Sequence, residues 1–275
     1  MYKIKLAISP CPNDTYIFGA WINELIELNN VFIQNVVYAD IQELNELAKT
    51  NTIDCIKVSA AFASELMDEY QILNSGAALG IGCGPLLISK KYVAKNDLEH
   101  CTIALPGEKT TAHFLFNNAV KACKNKVFLP FDKIEEALLQ DKIDAGVIIH
   151  ENRFTYQSKG LQLVLDLGKI WEDQTNLPIP LGLILVRRDL PNEIKIEIQD
   201  IIRTSIQYAN QNPKKLTNYI SEHAQEMSAA VCQKHIDLYV NDYSLSLGEG
   251  KKAIIELFSK TNQKPNTTNN IFINS

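Results

Sequence analysis

The sequence predicts a two-lobed α/β protein with a helical C-terminal region, and three observations support this prediction. Strand and helix patterns alternate through the first two-thirds of the 275 residues. From Pro191 to Lys264 the pattern is helical almost throughout. Finally, Ile53-Asp54 and Ile143-Asp144 each stand between a predicted helix and a short apolar strand. Two copies of one supersecondary unit predict two similar lobes.

The individual elements follow from the spacing of apolar residues. Alternating or short continuous apolar runs predict strands at residues 3–9, 31–38, 53–58, 85–89, 102–105, 127–130, 145–149, 161–167 and 181–187. Apolar residues at helical spacing predict helices at residues 13–26, 41–49, 60–70, 110–122 and 133–140. Residues 145–149 hold no polar side chain, which is typical of a strand buried on both faces. We therefore expect a parallel sheet flanked by helices.

The order of the elements predicts where the lobes divide. Residues 1–90 plus 176–275 are expected to form lobe one, and residues 91–175 lobe two, so the chain crosses twice between lobes, as in hinge-bending binding proteins. In open α/β sheets the carboxyl ends of the strands face the ligand. Lys57, Ser59 and His150 end such strands, and we expect them to converge on one cleft.

The composition restricts the choice of ligand. Hydrophobic residues make up 46% of the chain, and 27 basic against 32 acidic residues leave a net charge of −5. The sequence has no Lys/Arg-rich block, so the electrostatic footprint of a nucleic-acid-binding protein is missing. No segment approaches the roughly 20 apolar residues of a membrane span. A small anionic substrate would have to be bound locally, by helix N-termini and hydroxyl groups.

Cysteine and histidine spacing gives no metal site. The six cysteines are scattered without a C-x-x-C pair, and the histidines show no metal-ligand spacing. We interpret His223 and His235 as residues of helix surfaces. The amino terminus is typical of a strand and not of a secretory signal. The expectation is therefore a cytoplasmic protein with free thiols and no bound metal.

A rigid loop joins the first strand to the first helix. It reads Ser9-Pro10-Cys11-Pro12-Asn13-Asp14-Thr15. Asn13 or Asp14 is expected to cap the helix, whose free N–H groups would then be available to a carboxylate. Most caps are purely structural, so a stiff connecting loop is the competing interpretation.

A second loop, Pro106-Gly107-Glu108-Lys109-Thr110-Thr111-Ala112, also follows a strand and opens a helix. The glycine, the hydroxyls of Thr110 and Thr111, and the first N–H groups of the helix are typical of an anion site. The early glycine of a nucleotide-binding P-loop is absent, which argues against a nucleoside triphosphate. An ordinary threonine N-cap is the alternative.

The third segment, His150-Glu151-Asn152-Arg153-Phe154-Thr155-Tyr156, follows the most apolar strand. Histidine suits general acid–base chemistry near neutral pH. Glu151 or Asn152 could orient its ring, and Arg153 could hold a carboxylate. The alternative is an interior histidine whose neighbours Arg153 and Glu151 pair at the surface.

These motifs together resemble the 1,4-dihydroxy-6-naphthoate synthase family of menaquinone biosynthesis by the futalosine pathway. The resemblance rests on residues 9–15, Pro106-Gly107 with Thr110-Thr111, and residues 148–156, and it extends from Lys5 to about Phe258. Ser75-Gly76-Ala77-Ala78-Leu79-Gly80 and the prolines of residues 177–182 add to it.

The resemblance implies a periplasmic-binding-protein-like (type II) fold used as an enzyme, without a metal or redox cofactor. Its reaction would convert cyclic dehypoxanthine futalosine into 1,4-dihydroxy-6-naphthoate, with His150 as the proton acceptor. The family's substrate-binding residues would fall on Lys57, Val58 and Ser59, and on Thr110 and Thr111. A chorismate-dehydratase-like enzyme or a solute-binding protein on the same scaffold is the alternative. The sequence leaves the oligomeric state open.

Overall fold

The structure, a computed structural model, describes residues 1–224, 228–261 and 270–273. The chain forms two compact units: unit 1 comprises Met1–Gly80 and Pro180–Ser275, and unit 2 comprises Ile81–Ile179. The sequence placed the two divisions at residues 90/91 and 175/176. The first division lies earlier because the strand at residues 86–89 pairs within the sheet of unit 2.

The described residues form alternating strands and helices, followed by a helical region. The strands are β1 (Tyr2–Ile8), β2 (Val31–Tyr38), β3 (Cys55–Ser59), β4 (Tyr70–Ile72), β5 (Ala78–Gly80), β6 (Leu86–Ser89), β7 (Thr102–Leu105), β8 (Asn125–Phe128), β9 (Ala145–Ile148), β10 (Gln162–Asp166) and β11 (Ile179–Arg187). The α-helices are α1 (Pro12–Ile22), α2 (Ile41–Ala48), α3 (Ala60–Ala63), α4 (Thr111–Ala119), α5 (Ile134–Leu139), α6 (Asn152–Thr155), α7 (Leu167–Thr175), α8 (Asn192–Gln211), α9 (Thr217–His223), α10 (Ala229–Tyr239), α11 (Asp242–Leu245) and α12 (Gly250–Lys260). No helix of the described residues is long and apolar enough to cross a membrane.

The two units contain sheets with the same strand plan. The order in unit 1 is β2-β1-β3-β11-β4, with β5 added on β11, and the order in unit 2 is β8-β7-β9-β6-β10. In unit 1, β1 pairs parallel with β2 and β3, and in unit 2, β7 pairs parallel with β8 and β9. This is the similarity between two halves that the repeated Ile-Asp segment predicted.

The expected parallel sheet is found only in part, because both sheets are mixed. In unit 1, β11 runs antiparallel to β3 and β4, and in unit 2, β6 runs antiparallel to β9 and β10. The parallel strands are joined by crossovers that contain helices, which return the chain to the same end of the sheet. β6 and β11 are not reached by such a crossover within their own units. β6 is the first strand after the chain enters unit 2, and β11 contains the point at which the chain returns to unit 1.

The repeated segment has the same geometry in both units. α2 and α5 are each followed by a residue in the left-handed conformation, Asn51 with φ 51° and Asp141 with φ 53°. Two residues later a buried isoleucine, Ile53 or Ile143, precedes the aspartate. Asn and Asp tolerate this backbone conformation better than most residues, so both sequences end their helix in the same way.

The aspartate of each repeat connects two neighbouring strands. The Asp54 carboxylate accepts a hydrogen bond from the Lys5 N–H (2.8 Å), and the Asp54 N–H donates to the Lys5 carbonyl (3.1 Å). Asp144 makes the same pair of bonds with Thr102, at 2.8 and 3.0 Å. The Ile-Asp pair therefore sets the position of β3 beside β1, and that of β9 beside β7.

Two stretches differ from their predicted structure. The helix expected at residues 60–70 ends early: α3 stops at Ala63 and a short 3₁₀ turn follows, because Tyr70–Ile72 pairs as β4 with β11. The polar tail after Gln263 was expected to fray, and residues 262–269 lie outside the described part of the chain. Residues 270–273, however, add to β4: Ile72 N–H donates to the Ile271 carbonyl (2.8 Å), and Ile273 N–H donates to the Ile72 carbonyl (3.1 Å).

Each unit has its own apolar core. In unit 1 the buried side chains of α1 and α8, including Phe18, Trp21, Ile198 and Ile202, pack with β1. In unit 2 the buried side chains of α5 pack on β6 and β9. Burying apolar surface contributes about 25 cal/mol per Å², so these layers hold the loops at the strand ends in place.

Candidate active site

In unit 2 three loops leave the same edge of the sheet. β8, β7 and β9 are adjacent and parallel, so their carboxyl ends lie side by side. The loop after β7 leads to Thr110, the loop after β8 to Phe131, and the loop after β9 to His150. The residues that the sequence marked in this unit therefore follow neighbouring strands, where open α/β sheets bind ligands.

His150 occupies a constrained position at this edge. Its backbone is left-handed, with φ 56°, a conformation uncommon outside glycine but more accessible to His, Asn and Asp. The residue is half-buried. Its ring meets the ring of Phe131 edge to face, with centroids 4.9 Å apart. The turn after β9 and the ring contact together limit the directions in which the imidazole can point.

Thr110 is the N-cap of α4 and Thr111 is its first residue. The Thr110 hydroxyl accepts a bond from the His113 N–H (3.2 Å) and donates to the Gly107 carbonyl (2.8 Å). Both threonines are buried. The Thr110 hydroxyl is thus committed to the cap, as the structural alternative expected. The N–H groups of the first turn of α4 are the groups suited to an anion here.

His113, one turn into α4, is held in a neutral form. Its Nδ1 lies 2.8 Å from the Glu108 carbonyl and must donate to it, so Nε2 accepts from the Asn117 side-chain amide at 2.9 Å. Burial lowers the pKa of His113, and the Lys126 ammonium lowers it further, while the Glu108 carbonyl and carboxylate act in the opposite direction. His113 therefore adds no positive charge beside the loop that precedes α4 at neutral pH.

Arg153 and Glu151 do not form the surface ion pair that was the alternative interpretation. Arg153 Nη1 donates to the Gly84 carbonyl at 3.0 Å, which joins α6 to the start of β6. No ion pair between Arg153 and Glu151 occurs in the part of the chain that the structure describes. One carboxylate oxygen of Glu151 is buried without a hydrogen-bond partner.

Unit 1 holds a buried ion pair at the corresponding edge of its sheet. Asp14 is fully buried, and its two oxygens accept bonds from the Ser9 N–H (3.2 Å), the Ser9 hydroxyl (2.7 Å), the Asn13 amide (2.8 Å) and the Lys57 ammonium. Burying a charge is costly unless it is paired and hydrogen-bonded, and here both conditions are met. The pair connects the first turn of α1 to β3.

This network corrects the expected capping role of Asn13 or Asp14. α1 begins at Pro12, and its N-cap is Cys11, whose side chain makes no capping bond. Proline is favoured in the first turn because it lacks the N–H that would need a partner. The Asn13 amide instead donates to Asp14, and Asp14, which accepts from Ser9 and Lys57, places a carboxylate in the first turn of the helix.

Ser59, the last residue of β3, is held by Asn45 of α2. The Ser59 N–H donates to Asn45 Oδ1 (2.9 Å), and Asn45 Nδ2 donates to the Ser59 hydroxyl oxygen (3.0 Å). Both residues are buried. Val58 is also buried and, like Lys57, lies in the register of β3 with β11.

The sequence analysis did not identify three residues that position the candidate site residues. Asn45 and Phe131 are separated along the chain from Ser59 and His150, and neither lies in a recognised motif. A Cβ at Gly182 would lie 2.5 Å from Lys57 Cε, so this glycine makes room for the lysine side chain. The polar Asn45 on the apolar face of α2 was the single available signal.

The remaining histidines also need a correction. His235 was expected on a helix surface but is fully buried, with its ring 4.6 Å from that of Tyr239. His223 is half-buried, and its ring lies 4.5 Å from those of both Tyr38 and Tyr219. Within residues 1–224, 228–261 and 270–273, no three His, Cys, Asp or Glu side chains group as metal ligands would.

Solved structures with a similar fold define the class of the protein. The periplasmic aliphatic sulphonate-binding protein of Escherichia coli superposes with a TM-score of 0.67 at 12% identity, over 98% of this chain and 90% of the other. The ligand-binding component of an ABC-type import system from Staphylococcus aureus gives 0.69 at 13% identity, over 100% and 97%. The chain therefore has the periplasmic-binding-protein fold.

Comparisons at higher identity narrow this class to one family. A family model described as menaquinone biosynthesis matches residues 4–263. The 1,4-dihydroxy-6-naphthoate synthase of Streptomyces coelicolor is 40% identical over 92% of this chain and 90% of its own length. That of Thermus thermophilus is 39% identical over 94% of both. A crystal structure from Archaeoglobus fulgidus gives a TM-score of 0.88 at 34% identity, over 94% and 96%. The chain belongs to this menaquinone-biosynthesis family.

Proposed function

We propose that the protein is a cytoplasmic carbon–carbon lyase that converts cyclic dehypoxanthine futalosine into 1,4-dihydroxy-6-naphthoate, with His150 as the base. The observation that carries the proposal is the 40% identity, over most of both chains, to a synthase named for this product. The position of His150 after β9, with its backbone and ring constrained, adds support.

The chemistry asks for one well-placed base. Breaking a carbon–carbon bond next to a ring that becomes aromatic requires removal of a proton to start the electron flow, and aromatisation supplies the driving force. A neutral imidazole is suited to accept that proton near pH 7. The proposed reaction needs no metal, and a chelator should leave it unchanged.

The substrate is proposed to be a small anion that is bound by main-chain N–H and hydroxyl groups at strand and helix ends. In unit 2 the first-turn N–H groups of α4, at Thr111 and after it, would bind a carboxylate. In unit 1 residues 57–59 would bind the substrate through the Ser59 hydroxyl and the main chain of Val58. Because Asp14 already engages the Lys57 ammonium, we propose that Lys57, Asp14 and Asn13 shape the site and do not neutralise the substrate.

The first test is incubation of the purified protein with cyclic dehypoxanthine futalosine in the presence of a chelator, with mass detection of dihydroxynaphthoate. Formation of the product supports the proposal. A folded protein that forms none, but dehydrates chorismate, would move the assignment to the dehydratase. Tight reversible binding of the substrate without turnover would indicate a solute-binding protein.

The role of His150 is tested with His150→Asn. Asparagine tolerates the left-handed backbone that residue 150 adopts, so the fold should persist while the base is lost. We expect kcat to fall by about 10²–10⁴-fold, the usual contribution of general acid–base catalysis. His100→Asn is the matched control, because the His100 side chain is 80% exposed. Full turnover by His150→Asn would refute the proposed base.

A further inference from the structure

The orientation of the Ser59 hydroxyl is fixed by Asn45, and this has a consequence for substrate binding that rests on the function proposed above. Ser59 ends β3 at the carboxyl edge shared by the parallel strands β2, β1 and β3. Asn45 reaches it from α2 and is fully buried. Two hydrogen bonds join the two residues.

The directions of these two bonds are determined by chemistry. A main-chain N–H can only donate, so the atom of Asn45 that lies 2.9 Å from the Ser59 nitrogen is the amide oxygen. The amide nitrogen is then the atom 3.0 Å from the Ser59 hydroxyl oxygen, and an amide NH₂ can only donate. Toward Asn45 the Ser59 oxygen is therefore an acceptor, and its own hydrogen must point elsewhere.

Inside the protein that hydrogen has no described acceptor. Ser59 precedes α3, but its side chain makes no capping bond there. The hydrogen bond described for its side chain is the one that it accepts from Asn45. A buried hydroxyl hydrogen without an acceptor destabilises the folded protein, because the hydroxyl has lost its bond to water. A ligand oxygen at the strand edge would remove that cost.

We propose that Asn45 is a positioning residue: it holds the Ser59 hydroxyl as a hydrogen-bond donor to a carboxylate or carbonyl oxygen of the substrate. A serine without this amide could rotate and act as donor or acceptor. With it, the hydroxyl is set in advance to meet an oxygen that only accepts. Asn45 itself touches no substrate.

The direct test is Asn45→Asp, which has almost the same shape. The carboxylate still accepts the Ser59 N–H, but it also accepts the Ser59 O–H and so turns the hydrogen away from the substrate. We expect KM to rise about tenfold and kcat to change less than about twofold, the effect of one lost hydrogen bond in ground and transition states alike. Ser59→Ala should raise KM similarly.

The double variant Asn45→Asp/Ser59→Ala shows whether Asn45 affects KM through the Ser59 hydroxyl or by another route. If Asn45 acts through the hydroxyl, Asn45→Asp adds less than about twofold in KM once Ser59 is alanine. Asn241→Asp is the matched control: its amide oxygen also accepts a main-chain N–H, from Tyr243, and its NH₂ donates to the Leu79 carbonyl. It should leave KM unchanged.

Other outcomes overturn the inference. If Ser59→Ala raises KM and Asn45→Asp does not, the positioning role is wrong while the proposed function stands. A tenfold effect of Asn45→Asp that persists in the Ser59→Ala background shows an action by another route. If Asn45→Asp does not fold, Asn45→Ala, which introduces no charge, should still raise KM about threefold. Wild-type protein that forms no naphthoate refutes both proposals.

Discussion

At the scale of single residues, the site is prepared by polar groups that sequence motifs name only in part. Asp14 and Lys57 both lie in segments that the motifs marked, yet the structure directs them at each other. Their pairing stabilises a loop with two prolines, and Gly182 leaves the space that the lysine needs. A charged residue next to a predicted site is therefore not by itself a ligand for the substrate.

The ion pair allows a stability prediction. Lys57→Met leaves the Asp14 carboxylate buried and unpaired, and breaking a buried pair on one side costs about 3–5 kcal/mol. The double variant Asp14→Asn/Lys57→Met removes both charges and should recover part of the loss. Urea unfolding is measured for the wild type, Lys57→Met, Asp14→Asn and the double variant. Lys169→Met is the control, since Lys169 forms an exposed pair with Asp173, and exposed pairs contribute little to stability. Strictly additive losses would contradict the pairing.

His113 gives a prediction for the pH dependence of stability. The histidine pKa is about 6.5 in an unfolded chain, and burial lowers it in the folded protein. Below pH about 6.5 the unfolded chain therefore binds a proton that the folded protein does not. The stabilisation is present above that pH and is lost as the pH falls toward the folded-state pKa.

The measurement is the free energy of unfolding in urea at pH 7.5 and pH 5.5. The wild type should lose more stability across this interval than His113→Gln, which cannot take up the proton. His100→Gln, altered at an exposed histidine, should keep the wild-type slope. Equal slopes for wild type and His113→Gln would show that His113 does not contribute.

At the scale of secondary-structure elements, the repeated helix–Ile-Asp–strand segment explains why the two sheets share one plan. In each copy a left-handed residue ends the helix, and the aspartate then fixes the next strand beside its parallel neighbour. The segment was recognisable in the sequence because these roles constrain the residue types. Its exact register was not, because it depends on which strand the aspartate meets.

The aspartates should therefore have similar energetic roles. Asp144→Ala leaves the Thr102 N–H without its acceptor and should lower the free energy of unfolding by about 1–2 kcal/mol. Asp54→Ala should cost at least as much, because Asp54 also accepts from Arg187 Nη1 at 3.5 Å. Asp173→Ala, at an exposed helix position, is the control and should stay within about 0.5 kcal/mol. A negligible loss for Asp144→Ala would show that the main chain alone sets the register.

At the scale of the whole molecule, the C-terminal segment is part of the structure of unit 1. Phe272 and Ile273 are buried, and the Lys251 ammonium lies 5.0 Å from the centre of the Phe272 ring. The Gln71 side chain donates to the carbonyls of Asn270 and Phe272. Residues 270–273 therefore complete the sheet at β4 and contribute to its core.

Phe272→Ala tests this contribution. Truncating a buried phenylalanine removes apolar contacts and leaves a cavity, which costs about 3–5 kcal/mol. The partial surface exposure of this site places the expected loss at the lower end of that range. Ile255→Ala on α12 is the control, because Ile255 is 54% exposed. If the two variants unfold at the same urea concentration, the segment does not stabilise the fold.

The sequence by itself determined the α/β class, the family, and most element positions, because apolar spacing and loop motifs are local properties of the chain. β2 and β7 have the predicted bounds, Val31–Tyr38 and Thr102–Leu105. The sequence also marked the segments that contain Asp14, Thr110 and His150, since each follows a predicted strand directly.

Only the tertiary structure decided what those residues do. The antiparallel course of β6 and β11 follows from the passages between units, which no local pattern records. The partners of Lys57 and Ser59, namely Asp14 and Asn45, lie 43 and 14 residues away in the chain. A hydrogen bond or ion pair depends on the positions of both groups in space, and folding, not spacing along the chain, brings them together.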